Sequence, residues 1–509
     1  MSDGRFDIII IGAGPNGLTA AGLLARRGRR VLLLERRSVV GGLAAAHEFH
    51  PGCVAPGLLN DTAYLRRDVI EQLQLERFGL TLAPGTPPVF MPCPPGQPGP
   101  GLLLHHDADD ADAELSALSA HDAQQYQAYR AFLERVGRGA RRLVEELPPD
   151  LTPTDAASFI RLLRDGLALR RLGRKDLNEL LRLVPMCVAD WLGDFFETQL
   201  LRCALAGPAI EGTSMGPWSP GSAAGLLRWA LLRSGMHVPA GSAAVVEALH
   251  TAATAHGAHV RTNADVAAIT IGQGAVEGVE LTDGQRIEAR TVIAACDPKR
   301  ALLQLVAPRD ISPQLEHRIE SWRSAGTTAR LDVALDGPLR FDCRPDLQVH
   351  RARTGDSIDD MERAFDASKY GRCSAVPILD ILVPDGGNVV SITAHFAPYQ
   401  LRGGWTQQAR AALQESIVGA VQRHAAGFAD RIVASALMTP VDIEQRYGVT
   451  GGHLHHGEHA LDQLLVRPCP ECARYRTPIA GLFLASSATH PGGGLTCAPG
   501  ALAAAAVSG

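Results

Sequence analysis

DIIIIGAGPNGLTAAGLLARRGRRVLLLERRSVVGG, residues 7–42, decides the fold. Ile8 to Ile11 reads as a strand buried on both faces, and it runs straight into Gly12, Gly14 and Gly17 at GxGxxG spacing. Leu18 to Arg27 carries the helix that the glycines open, Gly28 ends it, and Val31 to Leu34 reads as a second parallel strand closing on Glu35. Strand, glycines, helix, strand and acid in this order form a βαβ dinucleotide fingerprint. Gly12 allows the tight turn, Gly14 admits a pyrophosphate to the backbone N–H groups, and Gly17 lets the helix pack on its strand. The helix N-terminus faces the phosphates with partial positive charge. Glu35 stands where a carboxylate accepts both ribose hydroxyls and repels a 2′-phosphate, which disfavours NADP.

A glycine pair, Gly41 and Gly42, follows the acid and the two arginines Arg36 and Arg37, and bares a second stretch of backbone beside the cofactor. The pattern ExxxxxGG resembles the extended FAD-binding fold of the amine oxidase and phytoene desaturase superfamily, which implies FAD and not NAD. The segment from Gly42 through PG to LERFGL, residues 75–80, resembles the phytoene-dehydrogenase-like branch of FAD oxidoreductases, which includes carotenoid desaturases and desaturase-related ketolases. In that family the residues around Gly57, Leu58 and Leu59 lie near the isoalloxazine. The C-terminal block, GGHLHHGEHALDQLLVRP followed by YRTPIAGLFLASSATHPGGG, is similar to the same family, so the resemblance spans nearly the whole chain. It implies that Val266 meets the adenine, and that Ser487, Gly493, Gly494 and Leu495 join Arg36 and the N-terminal glycines around FAD. It also implies that the helix after PGGG points at the flavin pyrimidine and stabilises negative charge there.

The chain has 509 residues, of which 46% are hydrophobic and 20% charged, as in an ordinary globular enzyme of two or three domains. A net charge of -5 gives no reason to expect nucleic acid. Ten cysteines without regular spacing, and a first apolar run that is the nucleotide strand itself, argue for reduced thiols in the cytoplasm. No run reaches the roughly 18 apolar residues of a membrane span, so any membrane contact is expected to be peripheral.

The expected fold class is α/β: a Rossmann-like FAD-binding domain of the extended glutathione-reductase type, with a discontinuous α+β substrate domain and a helical cap. Residues 1–84, 236–310 and 461–509 form the first domain, and 85–235 and 311–460 the second. His50-Pro51-Gly52 reads as a turn, Asp61 to Leu75 as a helix, and the proline-rich Pro84 to Gly101 as the crossing between domains. Asp107 to about Trp229 is helical, most clearly over Gln124 to Leu147 and Asp176 to Leu205. Residues 161–182 are rich in arginine and leucine, which suits either a solvated face or an anionic membrane surface, with Gly166 and Gly173 interrupting the helix. Asp283-Gly284 is a hairpin turn, and Gly272, Gly274 and Gly278 sit between strands with no helix after them, so they are no second dinucleotide site. Arg344 to Tyr370 is expected to be a surface loop or lid.

Some residues depart from the family pattern. Ser486 stands for a usual glycine and Ser487 where the superfamily often has an acid, while Cys497 and Cys296 replace a small residue and an asparagine. His453, His455, His456 and His459 lack a carboxylate-rich partner, and alternate histidines on a strand face opposite ways, so no metal is expected. His456 and His490 fall on family motif positions near the flavin and are the candidates for polarising or positioning substrate, with a structural role as the alternative. Cys469 and Cys472 form a CxxC, but without the βαβ unit or second CxxC that redox or zinc chemistry needs.

The resemblance implies an FAD-dependent dehydrogenase or oxidase passing a hydride from an apolar substrate, by default a carotenoid or other isoprenoid, to flavin N5. Oxygen or a quinone-type molecule is the expected acceptor. A soluble amine or natural-product intermediate is the alternative substrate, and a non-enzymatic FAD-holding partner protein is a third reading.

Overall fold

In a computed structural model that describes residues 6–148, 156–384 and 387–508, the four isoleucines form the centre of a parallel sheet. Strand β1 (Ile8–Ile11) pairs on one side with β2 (Val31–Leu34) and on the other with Thr291–Ala294. His259–Arg261 and Leu482–Leu484 complete a five-stranded sheet whose pairings are all parallel. The two strands of the N-terminal unit are buried throughout, which is why they are uninterrupted runs of Ile, Leu and Val. Helix α1 (Pro15–Arg26) connects β1 to β2 and packs against Gly241–Ala255 and Ala498–Ser508, so helices from the start, middle and end of the chain share one face.

A separate seven-stranded sheet carries the other core. Ile432–Met438 forms one edge, Thr328–Leu335 lies between it and Val389–His395, and the far edge is built from Val89–Met91 and Leu102–Leu104. Helices between residues 108 and 232 lie beside it, with Trp191, Tyr129, Phe132 and Phe196 in their buried seam. The parallel sheet with its helices is the α/β fold class expected from the sequence. No helix among the described residues is long and apolar enough to cross a membrane.

Tertiary contacts override several local expectations. Asp61 to Leu75 is not one helix: it divides into the 3₁₀ turn Thr62–Tyr64, the helix Arg67–Leu73 and the 3₁₀ turn Leu75–Phe78. The first turn is held apart because Thr62 Oγ1 accepts the Val238 N–H at 2.9 Å. The stretch Gln124 to Leu147 breaks after Ala140, and Asp176 to Leu205 divides into Gly173–Leu183, Val188–Gly193 and Gln199–Ile210. Buried Asp122 takes the N–H groups of Glu197 and Thr198 at 2.9 and 2.8 Å, which draws that chain out of helical geometry.

Arg344 to Tyr370 is not a lid. Arg351–Arg353 is a strand inside the seven-stranded sheet, and Ile358–Lys369 is an amphipathic helix that buries Ile358, Met361, Ala364 and Phe365. Gly166 does not interrupt its helix, which runs Ala156–Arg170; the break comes at Gly173, with φ +85°. The last helix starts at Ala498, beyond the PGGG run rather than at it. The four histidines lie in turns, not on a strand.

Steric space distinguishes two helical glycines. A Cβ at Gly17 would fall 1.9 Å from the Gly12 carbonyl oxygen, whereas one at Gly166 would meet nothing within 4 Å. Gly17→Ala is expected to destabilise by more than about 2 kcal/mol through backbone displacement, and Gly166→Ala to stabilise by up to about 1 kcal/mol through helix propensity. Urea unfolding of the two variants checks both signs.

Candidate functional site

The N-terminal turn is closed by hydrogen bonds that involve the backbone of both strands. Gly12, at φ +101°, donates its N–H to Leu34 O at 2.8 Å. Glu35 is buried at the end of β2; its Oε2 accepts the Ala13 N–H at 2.9 Å and its Oε1 the Arg37 N–H at 3.0 Å. The Glu35 carbonyl takes the Ala264 N–H at 2.8 Å, bringing Val266 to the same corner. Gly41 donates to Ala13 O at 2.7 Å, and a Cβ on Gly42 would lie 3.1 Å from Gly14 Cα. Among the described residues, α1 has neither a capping side chain nor an acid in its first turn. Gly12, Gly14, Gly17, Glu35, Gly41, Gly42 and Val266 therefore converge on an uncapped helix N-terminus, and the Glu35 oxygens keep lone pairs for hydroxyl donors. The side chain of Arg36 points elsewhere, donating to Gln445 O and Arg446 O at the end of helix Pro440–Tyr447.

The C-terminal block meets the same corner. Asn16 Nδ2 lies 3.5 Å from Ser487 Oγ, and a Cβ on Gly500 would strike Asn16 O at 2.1 Å. Two buried arginines shape the glycine loop that precedes the last helix. Arg228 donates to Pro491 O at 2.8 Å and Gly493 O at 2.6 Å, with its guanidinium 4.4 Å from the Trp229 ring. Arg467 donates to Ala488 O, Glu458 O and Gln463 O and stacks on Trp322. The Gly493 N–H reaches His459 Nε2 at 3.3 Å, and the His455 and His459 rings stack at 4.7 Å.

These groups are deeply desolvated. Burial, then Arg467, holds His453 and His490 down to about 3, and burial pushes His455 and His459 well below the ordinary value. His456 is also lowered by burial, and its carbonyl accepts the Trp322 Nε1–H at 2.9 Å. All are neutral near pH 7, so His456 and His490 are suited to hydrogen bonding and not to proton donation from an imidazolium. Arg228 and Arg467 are pushed down to about 9 by burial and stay cationic. Around Gly492 to Gly494, ring nitrogens of His455, His459 and His490 and one nitrogen each of Arg228 and Arg467 are buried without a protein partner. Unsatisfied buried polar atoms cost about 1–3 kcal/mol each, so this pocket is complete only with a polar ligand. The pyrimidine carbonyls and nitrogens of a flavin match that requirement, and the N-terminal corner matches its adenosine diphosphate.

A cavity of about 960 Å³ opens beside this loop. Leu58, Tyr64, Trp229 and Leu454 line it, and Trp229 also abuts Gly494 and lies 5.5 Å from the His455 ring. Its other walls carry Asp61, Arg130, Glu211, Arg233, Arg330, Arg351, Arg353 and Asp380. Sequence reading missed this charged wall because its residues come from seven separate segments. One signal was available for Arg228: it is the only charged residue in the apolar helix Ser222–Leu232. Cys296 and Cys497 are pushed up to about 12 by burial and remain thiols. All ten cysteines are free, and Cys469 and Cys472 are buried in a turn away from this cavity. A larger hollow of about 1350 Å³ lies on the far side, between Phe6, Asp7 and the three-stranded sheet at residues 266–288, away from every group described above.

The family described as flavin containing amine oxidoreductase matches residues 16–506. The rat protein named pyridine nucleotide-disulfide oxidoreductase domain-containing protein 2 is 30% identical, over 98% of this chain and 93% of its own. A chain of the limonene dehydrogenase of Castellaniella defragrans is 25% identical, over 99% of this chain and 94% of its own. Among solved structures, a redesigned putrescine oxidase superposes with a TM-score of 0.61 at 15% identity, covering 99% of this chain and 98% of that one, which is a likeness of fold.

The buried histidines set a pH dependence. An unfolded histidine titrates near 6.5 and the folded His453 and His490 near 3, so the unfolded chain binds more protons between these values. Their contribution is fully present above about pH 6.5 and is lost as pH falls toward 3, by about 2 kcal/mol per ring at pH 5. Denaturant unfolding at pH 7 and pH 5 is expected to show this loss, and His453→Asn to reduce it.

Proposed function

The chain belongs to the flavin containing amine oxidoreductase family and is an FAD-dependent oxidoreductase, and from that premise we propose that it removes a hydride from a C–H of a small substrate held in the 960 Å³ cavity. One observation carries the reading: Trp229 belongs to the cavity wall and also packs against Gly494 and the His455 ring, among the unsatisfied groups. Bound FAD supplies the two-electron acceptor. The proposed roles of the chain follow from geometry. The Gly12 to Gly17 turn and Gly41–Gly42 receive the diphosphate, Glu35 the ribose hydroxyls, and Val266 the adenine. Ser487, Gly493, Gly494 and Leu495 border the ring system. Arg228 holds the loop by the Pro491 and Gly493 carbonyls, Arg467 braces the chain before it at Ala488 O, and both add positive charge in a water-poor setting. His456 and His490 serve as neutral hydrogen-bonding groups that position substrate or cofactor, and His490 is fixed by the bond from Tyr475 Oη–H to its carbonyl.

Charged walls favour a substrate with a polar or ionisable end over a pure hydrocarbon, because a carotenoid would desolvate those groups without bonding them. The isoprenoid reading has one specific observation in its favour. Phe159, Ile160, Leu163 and Leu167 are each more than half exposed along helix Ala156–Arg170, with Arg161, Arg164 and Arg170 on the same element, as on a helix that rests on an anionic bilayer. The limonene dehydrogenase relative adds a precedent for an isoprenoid substrate. Oxygen or a quinone-type acceptor completes the cycle in either reading.

Purified protein is expected to release FAD on denaturation. Glu35→Ala should weaken FAD binding by about tenfold or more, and Gly14→Val should abolish it by blocking the phosphate approach. Anaerobic flavin bleaching by a panel of polyenes, amines and organic acids, with NADPH as a further candidate, separates the substrates. Bleaching by polyenes alone together with sedimentation on anionic liposomes would reject the polar-substrate reading, and rapid reduction by NADPH would reject the cavity substrate as the source of the hydride.

A further inference from the structure

The arginines of the cavity wall are not equivalent. Arg330 is paired with Asp332 at 2.8 Å, Arg351 with Asp61 at 2.7 Å, and Arg353 with Asp380 through two bonds of 2.5 and 3.0 Å. Each of these cations already has its carboxylate. Arg141, also on the wall, lies 3.8 Å from Glu145, whereas Arg130, Arg138 and Arg233 have no carboxylate within ion-pair distance among the described residues, and of these Arg130 and Arg233 act together on one neighbour. Arg130 Nη1 is buried with no hydrogen-bond partner, and its guanidinium lies 5.9 Å from the Tyr126 ring. Arg233 lies over the Tyr64 ring, also at 5.9 Å. The two point at a common neighbour: burial, then Arg233, then Arg130 lower His106 on the same wall. Asp61, the carboxylate that acts most on Arg233, is engaged by Arg351, and half-buried Glu211 is pushed up toward its neutral form. Glu134 stands one turn along the helix from Arg130 but closes no ion pair with it.

Resting on the function proposed above, we propose that this cavity recognises a carboxylate on its substrate, held between Arg130 and Arg233, so that the substrate class is an organic acid whose apolar body extends toward Leu58, Trp229 and Leu454. A planar carboxylate matches a guanidinium fork, and two forks in a partly desolvated wall discriminate strongly against neutral or cationic head groups. The aromatic faces of Tyr64 and Tyr126 partly offset the burial of the two cations; Arg233 also bonds the Tyr64 side chain, and Arg130 Nη1 has no protein partner.

Hexanoate, hexan-1-ol and hexylamine are the probes, since they share one apolar body and differ at the head group. Isothermal calorimetry on the full-length holoenzyme is expected to show hexanoate binding at least about tenfold tighter than either analogue, with affinity falling as salt rises. Arg130→Gln and Arg233→Gln should each weaken hexanoate by about tenfold without changing hexan-1-ol, and Arg233→Lys should restore part of the loss. Equal binding of the three probes by the wild type overturns the assignment, as does a doubly substituted protein that still prefers hexanoate. Circular dichroism confirms that each variant is folded, and the wild-type comparison stands whether or not a variant folds. Because calorimetry does not depend on flavin, carboxylate selectivity in a protein that retained no FAD would uphold the cavity assignment and sink the oxidoreductase reading, while a yellow protein without selectivity would do the reverse.

Discussion

The close approach of backbone to the N-terminus of α1 is the constraint on which the rest of the structure depends. Three segments far apart in the chain reach that point: the turn at Gly12 to Gly17, the pair Gly41–Gly42, and the C-terminal stretch from Ser487 to Gly500. Each arrives with a glycine where a side chain would collide, at Gly17 against Gly12 O, at Gly42 against Gly14 and at Gly500 against Asn16 O. Helix dipole, bare amides and the tethered Glu35 carboxylate then act at one place, which no single segment could assemble.

Electrostatics divides the ligand space into two parts. At the C-terminal glycine loop, Arg228 and Arg467 donate to carbonyl oxygens and not to carboxylates, which leaves their full charge in place beside neutral histidines. In the neighbouring cavity Arg330, Arg351 and Arg353 are matched by Asp332, Asp61 and Asp380, so that part of the charge is cancelled, and the proposed recognition point uses what remains. The first arrangement suits a ligand that gains negative charge in the reaction, and the second a ligand that carries it on entry.

The dinucleotide corner was legible in residues 7–42 because its chemistry is local: a buried strand, a turn that only glycine tolerates and an acid at a set distance all follow from near neighbours. The same holds for the Leu482–Leu484 strand and the Asp283-Gly284 hairpin. The cavity was illegible for the opposite reason. Arg351 and Arg353 sit on a three-residue strand too short and too charged to read as buried, and only Asp61 and Asp380, from distant elements, make their burial possible. Helix breaks near Tyr64 and Glu197 were likewise made by tertiary hydrogen bonds to Val238 and Asp122 that local periodicity does not encode.

By itself, then, the sequence determined the fold class, through turn sterics and spacing within short segments, and its resemblance to known motifs gave FAD and the flavin amine oxidoreductase superfamily but not the branch within it. The tertiary structure alone decided which charges survive unpaired. Whether an arginine is a structural counter-ion or a free recognition group depends on which carboxylates folding brings within about 4 Å of it, and Arg130 and Arg233 differ from Arg351 and Arg353 in nothing that a linear sequence records.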